Sequence, residues 1–291
     1  MQTIQSGPQA ASALRFPATE EEDAAPRGPA GRRRSRTGWR RIVSPLAVLV
    51  IWQLANVAKL VSAAKLPPPT KVASEAWTLI TTNSPAYGTL QHNLLASLER
   101  MAVGFALGAS AALLLAVIAG LSRVGEDAVD PLAQMIRTLP LFGLVPVFIV
   151  WFGIGQLPKE LLIALGAAVP LYLNAFSGIR GVDGRLGELG QVLGLSRWER
   201  LRYIVLPGAL PQTLVGLRQS LGVAWLALVV AEQLNTSSGL GFMMNQAEQF
   251  FQNDVIFVAL LVYTILGLLT DWIVRLIERR ALVWRRGLLA S

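Results

Sequence analysis

The sequence contains no cysteine and a single histidine, His92. Those two absences remove disulfide frameworks, thiolate metal sites and cysteine nucleophiles. A serine–histidine triad would have to be built on His92, and no Gly-x-Ser-x-Gly elbow accompanies it. His92 stands just before an apolar run, the ordinary place of an interfacial polar residue. No Gly-Lys dipeptide occurs, which excludes a Walker A phosphate loop and ATP binding by that mechanism. Charge is also scarce. Only 15% of the 291 residues are Asp, Glu, Lys or Arg, where soluble domains carry about a quarter. That is too little to cover a soluble surface of this length.

What the chain holds instead is apolar. Hydrophobic residues make up 53% of it, and a bilayer accounts for both figures because lipid-facing positions need no charge. The formal net charge is +8, and 22 of the 26 basic residues are arginine. A basic excess can signal nucleic-acid binding. Here the arginines fall in short blocks beside apolar runs, with no groove-facing basic helix and no aromatic-interleaved basic sheet. Positive-inside topology explains that distribution better, and no nucleic-acid partner is expected.

The chain reads as an all-α membrane protein of about six transmembrane helices. Residues 1–41 read as a disordered basic tail, with an acidic knot at Glu20, Glu21, Glu22 and Asp23 before Arg32, Arg33, Arg34, Arg36, Arg40 and Arg41. A first span is expected over 42–61, too long and too far from the start for a signal peptide. Five more are expected near 101–121, 132–152, 161–179, 214–234 and 255–274, each approaching the roughly 20 residues that cross a bilayer. Pro140 and Pro146 are expected to interrupt the third, and Pro170 the fourth. Residues 62–93 form a periplasmic or interfacial segment, in which Thr70 caps a short helix through Trp77 to Ile80. The core is placed at 94–280 and a cytoplasmic tail at 281–291.

Orientation comes from the loops. The leading block, the loop over 180–213 with Arg180, Arg185, Arg197, Arg200 and Arg202, and the tail with Arg275, Arg279, Arg280, Arg285 and Arg286 are basic. The loop over 235–254 has no lysine or arginine. Six spans with both termini cytoplasmic satisfy these observations.

The basic loop at 188–207 has its own physics. Leu186, Leu189 and Leu193 fall at helical spacing. Gly194 supplies a left-handed stop. Ser196 and Glu199 form a capping box that starts a second helix, whose apolar face is Trp198, Leu201 and Val205 and which Pro207 ends. A connection of some 35 residues far exceeds the usual 2–8. An ordered amphipathic elbow there suits a docked soluble partner, or a helix pair lying on the membrane surface.

The spacing of Glu188, Gly194, Ile204, Leu206 and Pro207 resembles the EAA loop of ABC importer permeases, with Leu189 and Gly190 where that motif carries two alanines. RTLPLFGLVPVFIVWFGIG at 137–155, NAFSGIRGVD at 174–183 and SSGLGF at 237–242 are similar to the sulfonate, taurine and nitrate branch, and most of all to aliphatic sulfonate permeases. The resemblance runs from about Leu66 to Arg280. It implies a type I ABC importer permease fold in a bacterial inner membrane and a coupling loop at 185–207, with Glu188, Gly194, Ser196, Glu199, Ile204, Leu206 and Pro207 meeting an ATPase. It also implies a permease homodimer, two copies of a cytoplasmic ABC ATPase that uses ATP and Mg, and a periplasmic solute-binding protein. No cofactor is expected on this chain, and no catalytic or metal-binding residue.

Glu232, near the outer end of the fifth span, is a candidate gate or dimer contact; the plainer alternative is a side chain snorkelling to the surface. Arg137 and Arg218 read as interfacial arginines at span ends. An ion-coupled secondary transporter would need a buried relay and repeated halves, and only Glu232 hints at the first. An intramembrane enzyme would need paired catalytic groups at depth, and Asp271 is the one aspartate within an expected span.

Overall fold

The computed structural model describes residues 37–233 and 236–283. Residues 1–36, with the acidic knot and the first four arginines of the basic block, lie outside the described residues, as do Arg285 and Arg286. The chain divides into two units, Met1–Ala47 and Val48–Ser291. The first is described only from Thr37, as the opening of helix α1, which runs Thr37–Val57 with Pro45 inside it.

Every regular element among the described residues of the second unit is a helix. After α1, the backbone turns through 58–68 and enters α2, Pro69–Thr81. Thr70 does not cap this helix, contrary to expectation. Pro68 is extended (φ −64°, ψ 149°) and Pro69 occupies the first turn, where a fixed φ and a missing N–H cost nothing. α2 buries Val72 and Leu79 in an apolar cluster with the helix that starts at Asn253 and leaves Trp77 exposed, as an interfacial helix does.

Helix α3 runs Leu90–Leu121, longer than the span expected at 101–121. Gly104, Gly108, Ala112 and Ala116 recur every fourth residue and are all buried. Small residues at that interval let helix backbones approach in a membrane, where lipid removes any hydrophobic drive between helices. The partner is α6, Leu157–Arg180. A Cβ on Gly108 would stand 2.2 Å from the Ala164 carbonyl oxygen, so no larger residue fits. Pro170 lies inside α6 and does not end it.

The third expected span, 132–152, is not one helix. Helix α4 (Arg123–Thr138) and the run Leu141–Phe152, which begins as a 3₁₀ turn and becomes α5 (Val145–Phe152), are bent by 96° from each other. The break falls at Leu139, which is extended (φ −72°, ψ 134°) because the ring of Pro140 disfavours a helical residue before it. Pro146 starts α5 and interrupts nothing.

Helix α7 (Gly184–Val192) and helix α8 (Arg197–Arg200) form the elbow. From Arg197 to Gln233 the backbone is one 37-residue rod. It passes from α8 through a π-helical turn, Leu201–Val205, into α9, Leu206–Gln233. Pro207 therefore does not end the second helix. The wider turn bonds Leu206 N–H to the Leu201 carbonyl and accommodates the proline, as single π turns in helices do. α10 (Leu240–Gln249) and α11 (Asn253–Ala281) complete the chain.

By length and composition four of these helices are able to cross a membrane: α3, α6, the α8–α9 rod and α11. Counting the bent pair as one crossing gives up to five by that measure, against the expected six; the apolar part of α1, Val43–Val57, is shorter. α6 lies between α3 and α9 and buries Leu162, Ile163, Ala167 and Leu171 between them. The outward faces of α3 and α11 present Leu114, Ile118, Leu261, Ile265 and Leu268 as exposed apolar surface.

Gly108→Val should drive a branched side chain into the α6 backbone and cost about 1–3 kcal/mol or more. We expect a lowered melting temperature of detergent-purified protein, while Leu114→Val on the exposed face leaves it unchanged.

Candidate functional site: a buried ionic centre and an exposed elbow

Three of the polar residues in the first turns of α3 are Asn93, Ser97 and Arg100. They stand four and three residues apart, which puts them on one face, and all three are buried. Opposite them, near the C-terminal end of α9, lies Glu232. It is 1% exposed, so it does not snorkel to the surface. Arg100 Nη1 donates to Glu232 Oε1 at 2.7 Å and to the Ser238 carbonyl at 2.7 Å; Nη2 donates to Ser238 Oγ at 3.0 Å, and Nε to Gln156 Oε1. The planar fork of arginine allows one side chain to hold these partners together.

Glu232 is equally committed. The Ser97 hydroxyl lies 2.8 Å from both carboxylate oxygens, the Tyr263 hydroxyl of α11 donates at 3.1 Å, and the Gly241 N–H donates at 3.0 Å. A buried charge without such partners would be prohibitively costly. Lys159, also buried, lies close enough for its charge to act on both Arg100 and Glu232.

The same centre caps α10. Gly239 N–H donates to Asn93 Oδ1 and Leu240 N–H to Ser97 Oγ, each at 2.8 Å. The N–H groups of Gly239, Leu240 and Gly241 at the start of α10 are thus satisfied by side chains of α3 and by Glu232, with no local cap. Gly239 has φ +122°, and a Cβ there would lie 2.6 Å from both Arg100 Nη1 and the Glu232 carboxyl carbon. The SSGLGF stretch at 237–242 is therefore glycine-rich because its backbone presses onto the ion pair.

Sequence reasoning found Glu232 and missed its partners. The expected span began at 101, which left Arg100 among loop charges. The available signal was Asn93, Ser97 and Arg100 at helical spacing on one face of the helix.

At the other end of α9 stands the elbow. Asp183 caps α7 by accepting from Arg185 N–H at 2.9 Å. α7 ends in a Schellman motif: Leu195 N–H bonds to the Gly190 carbonyl at 2.9 Å and Gly194 N–H to the Gln191 carbonyl at 3.0 Å, with Gly194 at φ +75°. The capping box is present, with Glu199 N–H donating to Ser196 Oγ and Ser196 N–H donating to Glu199 Oε2 at 2.8 Å. Hydrogen bonding to the Ser196 side chain and backbone holds the Glu199 carboxyl below its ordinary range.

Among the residues expected at the coupling site, the structure joins Ser196 to Glu199 and sets the Ile204 side chain over Gly190. A Cβ on Gly190 would lie 2.9 Å from Ile204 Cδ1, so glycine, where the motif has alanine, tightens the elbow. Glu188, Gly194 and Leu206 are exposed. Leu189, Val192, Leu193, Trp198 and Tyr203 are exposed as well, Val192 by 85%.

Arg218 is no isolated interfacial arginine: it lies 3.2 Å from Asp271 Oδ1 and 2.7 Å from Glu278 Oε2 of α11. Arg137 is exposed at the end of α4. Among the described residues, no group of three or more His, Cys, Asp or Glu side chains is arranged to hold a metal ion.

Helices packed on small residues around a buried ion pair, with an exposed capped elbow between α6 and α9, define an all-α, multi-pass membrane protein. The chain belongs to the family described as the binding-protein-dependent transport system inner membrane component, which it matches over residues 107–283. It is 42% identical over 255 residues to a Bacillus subtilis (strain 168) protein, covering 87% of this chain and 91% of that one. An Escherichia coli (strain K12) protein is 41% identical over 82% of this chain and 89% of its own length. Both are provisionally named aliphatic sulfonates transport permease proteins. The taurine transport system permease protein of Escherichia coli (strain K12) is 34% identical, over 83% of this chain and 88% of its own.

Two solved structures share the fold. One is an amino acid ABC transporter solved with histidines, with TM-score 0.55 and 18% identity, covering 65% of this chain and 92% of that one. The other is an inward-facing methionine ABC transporter, with TM-score 0.51 and 19% identity, covering 63% and 93%. The chain has the type I ABC importer permease fold. It is a permease subunit, and ATP hydrolysis belongs to a separate ATPase subunit.

Arg100→Met should leave Glu232 buried and uncompensated and cost about 3–5 kcal/mol. Arg100→Lys should recover part of it, since an ammonium restores the charge without the planar fork. Melting of the purified variants should rank wild type, Arg100→Lys, Arg100→Met; equal melting points would show that the pair carries no stability.

Proposed function

We propose that this permease admits aliphatic sulfonates or a closely related small anion, as a homodimer fed by an external binding protein and driven by two ATPases. The substrate class follows the names of the two relatives above 40% identity. Taurine and nitrate stay as alternatives, since permeases named for them are 34% and 31% identical. We place the crossings at α1, α3, the bent α4–α5 pair, α6, the α8–α9 rod and α11. That even number sets both termini on the cytoplasmic side, as the basic loops favour.

The observation that carries the coupling role is the elbow over 185–207. It is capped at each turn, so it is rigid without a partner, yet it turns Leu189, Val192, Leu193, Trp198 and Tyr203 outward. Single exposed apolar residues are ordinary on a protein surface, whereas a contiguous ordered ridge marks an interaction site. The ridge suits an ATPase cleft, with Glu188 and Leu206 exposed beside it. Because α8 continues into α9 without a break, displacement of the elbow is transmitted along about 40 Å of helix to Glu232 at 1.5 Å per residue. The ionic centre there fixes the start of α10, which supports the gate role expected of Glu232. Alternating access follows if ATP-driven closure of the ATPases shifts the rod.

Gly194→Val places a branched residue where φ is +75°, a strain of about 1–3 kcal/mol confined to the elbow. Membrane levels of the permease should stay unchanged while co-purified ATPase and ATP-driven uptake fall; wild-type uptake would refute the coupling role. For the substrate, the reconstituted complex should show ATPase stimulation by binding protein loaded with an alkanesulfonate. Stimulation by the nitrate-loaded form alone would overturn the sulfonate assignment.

A further inference from the structure

The exposed surface at membrane depth is of two kinds. The outward faces of α3 and α11 carry leucine and isoleucine, as lipid requires. The exposed stripe of α9 is mixed, with two glutamines and a glycine among its apolar residues. It runs Gln212, Val215, Gln219, Gly222 and Leu226, at intervals of three and four residues along one face. Gln219 lies at the middle of Leu206–Gln233, and Gln212 about 10 Å nearer the elbow at 1.5 Å per residue.

Asn174 of α6 links the two glutamines. Gln212 Nε2 donates to Asn174 Oδ1 at 2.9 Å, and Asn174 Nδ2 donates to Gln219 Oε1 at 2.9 Å and to the Pro170 carbonyl at 2.8 Å. Gly216 sits between the glutamines and closes the two helices together, since a Cβ there would lie 2.6 Å from Asn174 Cβ. The ladder spends only part of what amides offer, because each carries two donor hydrogens and two acceptor lone pairs. Among the described residues, Gln219 Nε2 and Gln212 Oε1 have no protein partner. Hydrocarbon cannot supply one, so polar groups exposed at this depth face protein or a water-filled cavity.

A cavity of about 230 Å³ adjoins the ladder. Pro170 and Val223, each one helical turn from Asn174 or Gln219, line it. Arg137 is the one charged residue in its lining, and no ion pair holds Arg137 among the described residues.

We propose that the ladder Gln212–Asn174–Gln219 is the water-exposed wall of the translocation route, and that Arg137 gives the route its preference for small anions. This rests on the permease reading above and adds the residues a solute passes. Neutral amides exchange hydrogen bonds with a partly dehydrated solute and do not trap it by charge, a condition for passage. The fixed guanidinium at the adjoining cavity sets the sign of what enters.

The absence of cysteine makes the natural protein a ready background for thiol labelling. Gln219→Cys is to be reconstituted in liposomes with its ATPase and binding protein and reacted with anionic sulfonatoethyl and cationic trimethylammonioethyl thiosulfonates, with Leu114→Cys on the apolar face of α3 as control. Gln219→Cys should react at least about tenfold faster than the control, because only a solvated thiol ionises and meets these reagents. The ratio of anionic to cationic rates should fall about threefold when Arg137→Gln is added, as removal of one fixed charge at solvent-screened range predicts. Equal, slow labelling of Gln219→Cys and Leu114→Cys, with and without ATP, would overturn the wall. Disulfide-linked dimers in place of labelling would overturn it too, by placing the face between two copies. An unchanged rate ratio in the Arg137→Gln background would overturn the anion preference. Fast labelling in a complex that drives no uptake would instead defeat the permease reading and leave the wetted face standing, so the two failures are separable.

Discussion

The Arg100–Glu232 ion pair is the interaction on which the end of this permease opposite the elbow depends. Five stretches of chain meet there: α3 through Asn93, Ser97 and Arg100, the turn before α6 through Gln156, α9 through Glu232, the 237–242 stretch through its backbone, and α11 through Tyr263. Two opposite charges removed from water gain little over an apolar pair of the same shape. Their value is specificity. An arginine with four hydrogen-bonded contacts and a carboxylate with four donors accept one arrangement of those helices, and α10 has no cap of its own to allow another.

Elsewhere the fold is held by close approach. In a bilayer, apolar side chains gain nothing by leaving lipid for a neighbouring helix, so contact must come from dispersion and backbone proximity. The stripe from Gly104 to Ala116 provides that proximity against α6, as Gly216 does for α9 against α6. The result is a rigid three-helix centre with the α8–α9 rod on one flank. That rod connects the two candidate functional regions, the elbow at its start and the ionic centre near its end.

Much of the elbow was legible in the sequence because its signals are local. A left-handed glycine, a serine followed three residues on by glutamate and leucines at helical spacing act within a single turn, and Gly194 and the Ser196–Glu199 box stand where expected. Proline was the less dependable signal. Pro140 does break the chain, Pro170 and Pro207 do not, and Pro146 opens a helix. A proline removes one donor and crowds one turn; whether the helix then stops depends on neighbours, as the π turn before Pro207 demonstrates.

By itself the sequence determined the class: too little charge for a soluble surface, apolar runs of spanning length, arginines gathered in particular loops, and the spacing of one loop motif. These depend on composition and on residues close in the chain. Only the tertiary structure decided what Glu232 does, which partner Arg218 takes and why 237–242 is rich in glycine. It alone showed that Gln212, Asn174 and Gln219 form one ladder. Arg100 and Glu232 are 132 residues apart, and Asn174 and Gln219 are 45 apart. No periodicity reports such pairings, because they are set by which helix faces pack and how closely small residues let them approach.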